Sequence, residues 1–392
     1  MPKLEPSTLF SGPLRTTTLS DEERIACLRL ARSESIGPVT FRELLNHFGS
    51  AAKALDAIPE LSRRGGARRP IYLCSEADAI RELEAAHRIG SKLVFTIEPD
   101  YPPLLTKIEA PPPLLHVKGR NSLLSAPAIA IVGSRQCSAA GAQMTRLFAN
   151  RLANAGLVIV SGLARGIDRV AHEAALATGT VAVLAGGIDW TYPPEHAELQ
   201  SRIACEGCLV TDRPPGFRPR DKDFPRRNRI IAGLVHGVVV IEAAARSGTL
   251  VTARHANDLG REVFALPGHP LDPRAEGTNR LIKQGATLVT TPEEVIDVLR
   301  PFVGLEECNL TGAANTAIPP TAAQSQSLTP STAGEREINA VIAALGPAPA
   351  AIDAIARTTG LSVQVVQIAL LELDLAGRVE RQGSSLVALK SG

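Results

Sequence analysis

The sequence predicts an α/β protein: a Rossmann-like parallel sheet core with a small all-α N-terminal domain and a C-terminal winged-helix domain. Three observations predict it. From about 93 to 300, seven short apolar runs alternate with segments of helical period. Residues 20–60 before them carry only helix signals, and a Thr/Ala/Pro/Ser-rich stretch after them isolates a closing helix and hairpin pattern. The expected partition is a helical (SAM- or helix-hairpin-helix-like) domain at 1–90, the core at 91–303, a flexible tether at 304–334 and the winged helix at 335–392.

In the first segment, "SDEERIACLRLARS" offers Ser20 as an N-cap with Glu23 three residues on, ahead of apolar residues at helical spacing. "SIGPVTFRELLNHFGSAAKALDA" places a Gly-Pro turn between two further helices. Such a unit either grips nucleic-acid backbone through turn amides or serves for docking, and the turn alone does not separate the two. The core strands are "AIAIVG" (128–133), "LVIVSG" (157–162), "VAVLAGG" (181–187), "CLVT" (208–211), "GVVVIEA" (237–243), "EVFALPG" (262–268) and "ATLVT" (286–290). Strands that are apolar throughout, separated by amphipathic helices, argue a parallel sheet covered on both faces. The stretch 304–334 cannot bury a core and reads as a tether. Beyond it lie three short helices and "RVERQGSSLVAL", a hairpin turning at Gly383. The would-be recognition helix, 362–373, has Gln364 and Gln367 but no Lys or Arg, which favours protein contact over duplex reading.

A length of 392 residues suggests two or three domains, and 44% hydrophobic with 21% charged residues is ordinary for a globular chain. A net charge of +2 gives no global polyanion signal, so binding of that kind must come from a local patch. No run approaches eighteen apolar residues and "MPKLEPSTLF" lacks a signal-peptide layout, so the expectation is a cytoplasmic protein without membrane association. Six cysteines are scattered, and "CEGC" at 205–208 lacks the second ligand pair of a zinc site, so packing is its expected role.

The ends of the strands carry the functional signal, because open α/β sheets bind ligands beyond their carboxyl edge. One strand delivers Gly133, Ser134 and Arg135; the next delivers Ser161, Gly162 and Arg165 ahead of a helix. Another delivers Gly186 and Gly187, and a fourth Arg246, Ser247, Gly248 and Thr249 at a helix start. Glycines admit a ligand to the backbone, hydroxyls donate, and helix N-termini present free N–H groups. Residues 213–229 add seven Lys or Arg against two Asp, a local excess of five positive charges. Together these predict an anion-binding face.

Several anions are disfavoured. "GSRQCSAAG" is not G-x-G-x-x-G, and Ser161-Gly162 stands where an acidic residue would hold a ribose. There is no P-loop and no H-E-x-x-H. Asp168 and His172 lie four apart and read as structural polar residues, while Ser134, Ser161 and Ser247 lack an identifiable base. No catalytic residue, metal or cofactor is expected.

"VGSRQCSAAG", "SGLARGIDRVAHEAAL", "GTVAVLAGGIDWTYPPEH", "FPRRNRIIAGL", "VVVIEAAARSGTLVTARHANDLGREVFALPG" and "GTNRLIKQGA" closely resemble the DprA/Smf (DNA processing A) family over about 100–300. The resemblance implies a single-stranded DNA-binding recombination mediator of natural transformation. Such a protein protects incoming DNA, loads RecA in competition with single-strand binding protein, forms homodimers and requires no cofactor. It also implies site residues: Gly133, Ser134 and Arg135 match the Gly-Ser-Arg turn of the DNA pocket. Phe224, Arg227, Asn228 and Arg229 match the Phe-Pro-x-Arg-Asn-Arg block, and Ser247, Gly248 and Thr249 the Ser-Gly-(Ser/Thr) turn. Arg227 and Arg229 are then expected to form one charged pocket with Arg135, with Phe224 stacking a base. Two departures touch outer loops: "YPPEHAEL" carries His196 where many members have Asn, and "TDRPPGFRP" replaces a Ser-Glu before Pro-Gly.

Two rival classes remain. A nucleotide-cleaving hydrolase of the lysine-decarboxylase-like group would need PGGxGTxxE, against which "EAAARSGTLVTA" lacks the paired glycines and trailing Glu. A winged-helix transcriptional regulator would need basic residues on 362–373.

Overall fold

The computed structural model describes residues 18–64, 69, 71–303, 335–346 and 349–363, then 365–366, 369–370, 373, 379–382 and 386–389. The expected tether at 304–334, the Gly383 turn, Gln364 and Gln367 lie outside the described residues.

Four helices come first: α1 (Asp21–Arg32), α2 (Pro38–Phe48), α3 (Ala51–Arg64) and α4 (Glu76–Arg88). Ser20 caps α1 by accepting from the Glu23 N–H at 3.2 Å. The Glu23 carboxylate does not close a box on its own helix; it accepts from Ala51 N at 2.8 Å and so caps α3. Pro38 opens α2 at its first position, where a missing N–H costs nothing. The helices bury Leu28, Leu30, Phe41, Leu45 and Leu55 in a cluster that runs on into Phe95 and Leu114 of the sheet.

That sheet has nine strands: β1 (Lys92–Phe95), β2 (Leu114–Gly119), β3 (Ala128–Gly133), β4 (Val158–Ser161), β5 (Thr180–Val183), β6 (Cys208–Thr211), β7 (Gly237–Ile241), β8 (Glu262–Ala265) and β9 (Thr287–Leu288). The order is β1-β2-β6-β5-β4-β3-β7-β8-β9. The strands from β6 to β9 in that order run parallel, as the apolar runs predict, while β2 and β1 add an antiparallel edge. Alternate residues feed opposite layers: Ala128, Ala130 and Val132 face one core, Ile129 and Ile131 the other. Helices α5 (Ala139–Asn154), α6 (Ile167–Ala175), α7 (Ala197–Glu206), α8 (Asp223–Gly233), α9 (Thr249–Asp258), α10 (Glu276–Lys283) and α11 (Pro292–Val303) cover the faces. The chain steps outward from β3 to β6, then returns to the other side of β3 with β7. The switch point therefore lies between β3 and β7.

The closing module comprises α12 (Glu335–Ala344), β10 (Ala350–Ala351), α13 (Ile352–Thr359), β11 (Val379–Gln382) and β12 (Leu386–Leu389), with a sheet ordered β10-β12-β11. It packs on the core: Ala139, first residue of α5, belongs to the same buried cluster as Val341, Ile355 and Leu370. Arg274 reinforces that contact by donating to the carbonyls of Ala343 and Leu345, both at 2.8 Å. Among the described residues no helix is long and apolar enough to cross a membrane. Of the CxxC pair, Cys205 lies in α7 and Cys208 opens β6, where burial pushes its thiol up to about 12.

A charged knot fastens the helical unit to the sheet. Glu82 of α4 accepts from Arg32 at 2.8 Å and from His116 Nε2 of β2 at 3.0 Å, while Arg32 also reaches the Asp212 carbonyl at 3.3 Å. Burial opposes ionisation of Glu82, but the His116 and Arg32 hydrogen bonds prevail and hold it at about 2, below the ordinary 4.5. Burial lowers the His116 pKa, so the imidazole donates as the neutral ring and Arg32 carries the charge. A depressed carboxylate stabilises the fold above its unfolded pKa and loses that contribution as pH falls through its folded value. Glu82→Gln should therefore lower stability at neutral pH by about 1.5–3 kcal/mol. In denaturant unfolding, its gap from wild type should close as pH falls from 4.5 toward about 2.

Candidate nucleic-acid interface

A cleft of about 720 Å³ opens at the switch point, lined by the turns that follow β3, β4 and β7 and by the start of α8. A second concavity, about 790 Å³ between α9 and α10, lies at the amino ends of β8 and β9, where the strand-end motifs do not converge.

The turns are fixed by close backbone approach. A Cβ on Gly133 would lie 1.9 Å from the Ile241 carbonyl oxygen, and one on Gly166, at φ +73°, 2.2 Å from that of Ser134. Ile167 N donates to Ser134 O at 3.1 Å, so the turns after β3 and β4 support each other. Ser134 Oγ accepts from Gln136 N at 3.2 Å. On the other wall, Thr249 donates its hydroxyl to Gly133 O at 2.9 Å, while Ser247 Oγ accepts from Thr249 N at 3.1 Å. Asn228 donates to Gly248 O at 3.2 Å. Ser247, Gly248 and Thr249 thus form the rigid start of α9 facing the cleft.

Arg227 lies beneath this surface rather than on it. Its Nη1 donates to the carbonyls of Gly162, at 2.6 Å, and Val183, and Nε donates to Asn228 Oδ1 at 3.2 Å. Desolvation pulls its pKa down to about 10, and the opposed charge of Asp168 resists this. Asp168 accepts from Gly162 N at 3.2 Å and Ala164 N at 3.3 Å; burial raises its pKa and Arg227 pulls it back. His172 is not its partner: its ring bonds Thr180 Oγ1 at 2.8 Å and is held neutral by burial, with a pKa near 3. His196, also buried, donates from Nδ1 to Leu163 O at 3.0 Å and props the same turn from within.

Arg135 is exposed, its guanidinium 5.8 Å from the centre of the Phe224 ring. Phe224 in turn lies 5.2 Å from Tyr192 at an interplanar angle of 55°. Arg165 lines the cleft but is ion-paired with Glu195. Arg246 lines it from the β7 side. Neither Arg135 nor Arg246 has a carboxylate within ion-pair distance among the described residues.

Two expected residues fall elsewhere. Arg229 donates to Ala110 O at 2.5 Å and lies 3.7 Å from Asp212, outside the cleft. The segment is helix α8, and residues two apart on a helix point in nearly opposite directions, so Arg227 and Arg229 cannot share a pocket. Ser161 is fully buried and donates across the sheet to Ile131 O at 2.7 Å, leaving Gly162 to line a recess beside the cleft. The sequence offers Tyr192, with Trp190 and Phe217, as a further stacking ring beside Phe224, and the structure adds that Tyr192 touches Phe224. They are 32 positions apart, and only the fold joins them.

Comparison with known proteins agrees with this architecture domain by domain. A model of DNA recombination-mediator protein A matches 92–300, a DprA-like N-terminal HHH domain matches 21–85, and a DprA winged helix domain matches 319–384. Protein Smf of Synechocystis is 33% identical over 390 residues, covering 93% of this chain and 98% of that protein. The X-ray structure of DNA processing protein A from Streptococcus pneumoniae superposes with a TM-score of 0.59 at 34% identity, covering 72% of this chain and 98% of that one. A solved structure of DNA processing protein A from Helicobacter pylori, described for its single-stranded DNA binding mode, gives a TM-score of 0.48 at 31% identity over 52% of this chain and 94% of that one. With three family models tiling the chain in the order its folded units follow, the protein belongs to the DNA recombination-mediator protein A (DprA/Smf) family.

Proposed function

We propose that this protein is a cytoplasmic recombination mediator that holds single-stranded DNA in the switch-point cleft. There it protects incoming DNA and hands it to RecA during natural transformation, in competition with single-strand binding protein and as a homodimer. The observation that carries the binding reading is Arg135: a cation without a protein counter-charge among the described residues, set over an aromatic ring. A phosphate supplies the missing charge, and Phe224 with Tyr192 offers a stacking surface that any base can use. Ser134 and the 247–249 turn present hydroxyls and the start of α9 to the backbone of the strand. Arg227, Asn228 and Gly162 shape the floor. The family's description as a recombination mediator supports the RecA step. In this reading the cleft's hydroxyls shape its turns, Ser134 accepting from Gln136 N, Ser247 from Thr249 N, and Thr249 donating to Gly133 O.

The test is a gel-shift titration of single- against double-stranded oligonucleotides at two salt concentrations. Arg135→Ala should weaken single-strand binding by about 1.5–3 kcal/mol, roughly 10- to 150-fold, with no change in unfolding. Arg229→Ala should stay within about threefold of wild type, because Asp212 already answers its charge. Affinity should fall steeply as salt rises; a flat response removes phosphate as the ligand. Arg227→Ala should act differently, costing about 3–5 kcal/mol of stability in a denaturant melt because Asp168 is left buried and unpaired.

A further inference from the structure

Aromatic residues are scarce in this chain, thirteen Phe, Tyr and Trp in all, yet four of them fall within 190–224: Trp190, Tyr192, Phe217 and Phe224. Three of those rings carry a guanidinium. Arg135 lies over Phe224 at 5.8 Å, Arg218 over Trp190 at 5.0 Å and Arg213 over Phe217 at 4.7 Å. The cleft accounts for Phe224 and Tyr192 only.

Trp190 and Phe217 belong together past the end of β5. The space over Gly186 is closed by the Trp190 ring, Pro219 and the Phe217 carbonyl, and Gly187 N donates to that carbonyl at 2.9 Å. Asp189 is occupied in holding the same loop, accepting from Gly216 N at 2.8 Å. Arg213 is neutralised by Asp223 at 2.5 Å, but Arg218 is exposed and has no carboxylate within ion-pair distance among the described residues. Trp190 with Arg218 therefore repeats the pairing of Phe224 with Arg135, two strands further along the carboxyl edge. Two strand spacings amount to about 10 Å. At a stacked rise of about 3.4 Å per nucleotide, that is roughly three nucleotides.

Resting on the reading of the cleft as a single-strand site, we propose that Trp190 and Arg218 form a second stacking and phosphate subsite. It takes unpaired bases that leave the cleft across the ends of β4 and β5. Duplex DNA cannot use it, because paired and stacked bases offer no free face. The chain's one tryptophan is thus placed to report on occupancy.

The test follows Trp190 emission in the full-length protein during titration with oligo-dT of about 12 nucleotides and with an abasic strand of the same length, gel retention being scored in parallel. The dT strand should quench the indole, and the abasic strand, held by phosphates alone, should not. Trp190→Leu should weaken dT binding about tenfold and leave the abasic strand within about twofold. Arg218→Ala, whose side chain is exposed and so leaves the fold intact, should weaken both several-fold. Retention of dT without quenching, equal quenching by the abasic strand, or wild-type dT affinity in either variant overturns the subsite and leaves the cleft standing. If neither strand is retained at all, the cleft reading falls and the subsite falls with it.

Discussion

A buried guanidinium holds the strand ends in place. Arg227 reaches the carbonyls that follow β4 and end β5, and through Asn228 it fixes the turn after β7, whose Thr249 is bonded to the end of β3. A charge taken out of water needs both a counter-charge and saturated hydrogen bonds. Asp168 supplies the first, and it is anchored by two amides of the very loop that Arg227 holds. The arrangement closes on itself, so the cleft has a floor that does not have to form when a ligand arrives. Two arginines that look alike in sequence thereby take different places: Arg227 builds the surface from beneath and Arg135 lies exposed on it, over the Phe224 ring.

The sheet core was readable because the parallel strands β3, β4, β5, β6 and β7 are buried on both faces and show as nearly unbroken apolar runs, whereas β8 and β9 at the edge are only partly buried. The β1–β2 edge was not, since "KLVF" is four residues long and "LLHVKG" follows a proline-rich stretch with no helical crossover to announce it. The glycine turns and Arg135 could be found by position after a strand. Arg229 could not be placed while its segment was read as a charge cluster rather than as a helix. A usable signal was present: Arg227, Ile230 and Ile231 of α8 and Leu234 just past its end fall at intervals of three, four and seven, one helical face, and all are buried. Ser161 marks a different limit of sequence reading. A hydroxyl at a strand end points either to ligand or to the neighbouring strand, and the neighbour's carbonyl decides it.

Electrostatics along the 213–229 segment are uneven in a way that net charge conceals. Asp212 and Asp223 quench Arg213 and Arg229, which are partly buried, whereas Arg218, Arg220, Lys222 and Arg226 stand in solvent. Asp212 and Asp223 lie beside the cations that burial would penalise, while Asp221 is the one exposed acid of the segment, set among those four exposed cations. A chain close to neutrality overall can therefore present a strongly cationic rim.

Among the described residues, Arg274 grips the closing module through main-chain oxygens, those of Ala343 and Leu345. Peptide carbonyls are the same whatever residue bears them, so this latch is blind to the identity of the side chains at the end of α12. Exposed Ala343 can be exchanged without loosening that latch, whereas Val341, Ala344 and Leu345 are held by the buried cluster they share with Ala139 of the core.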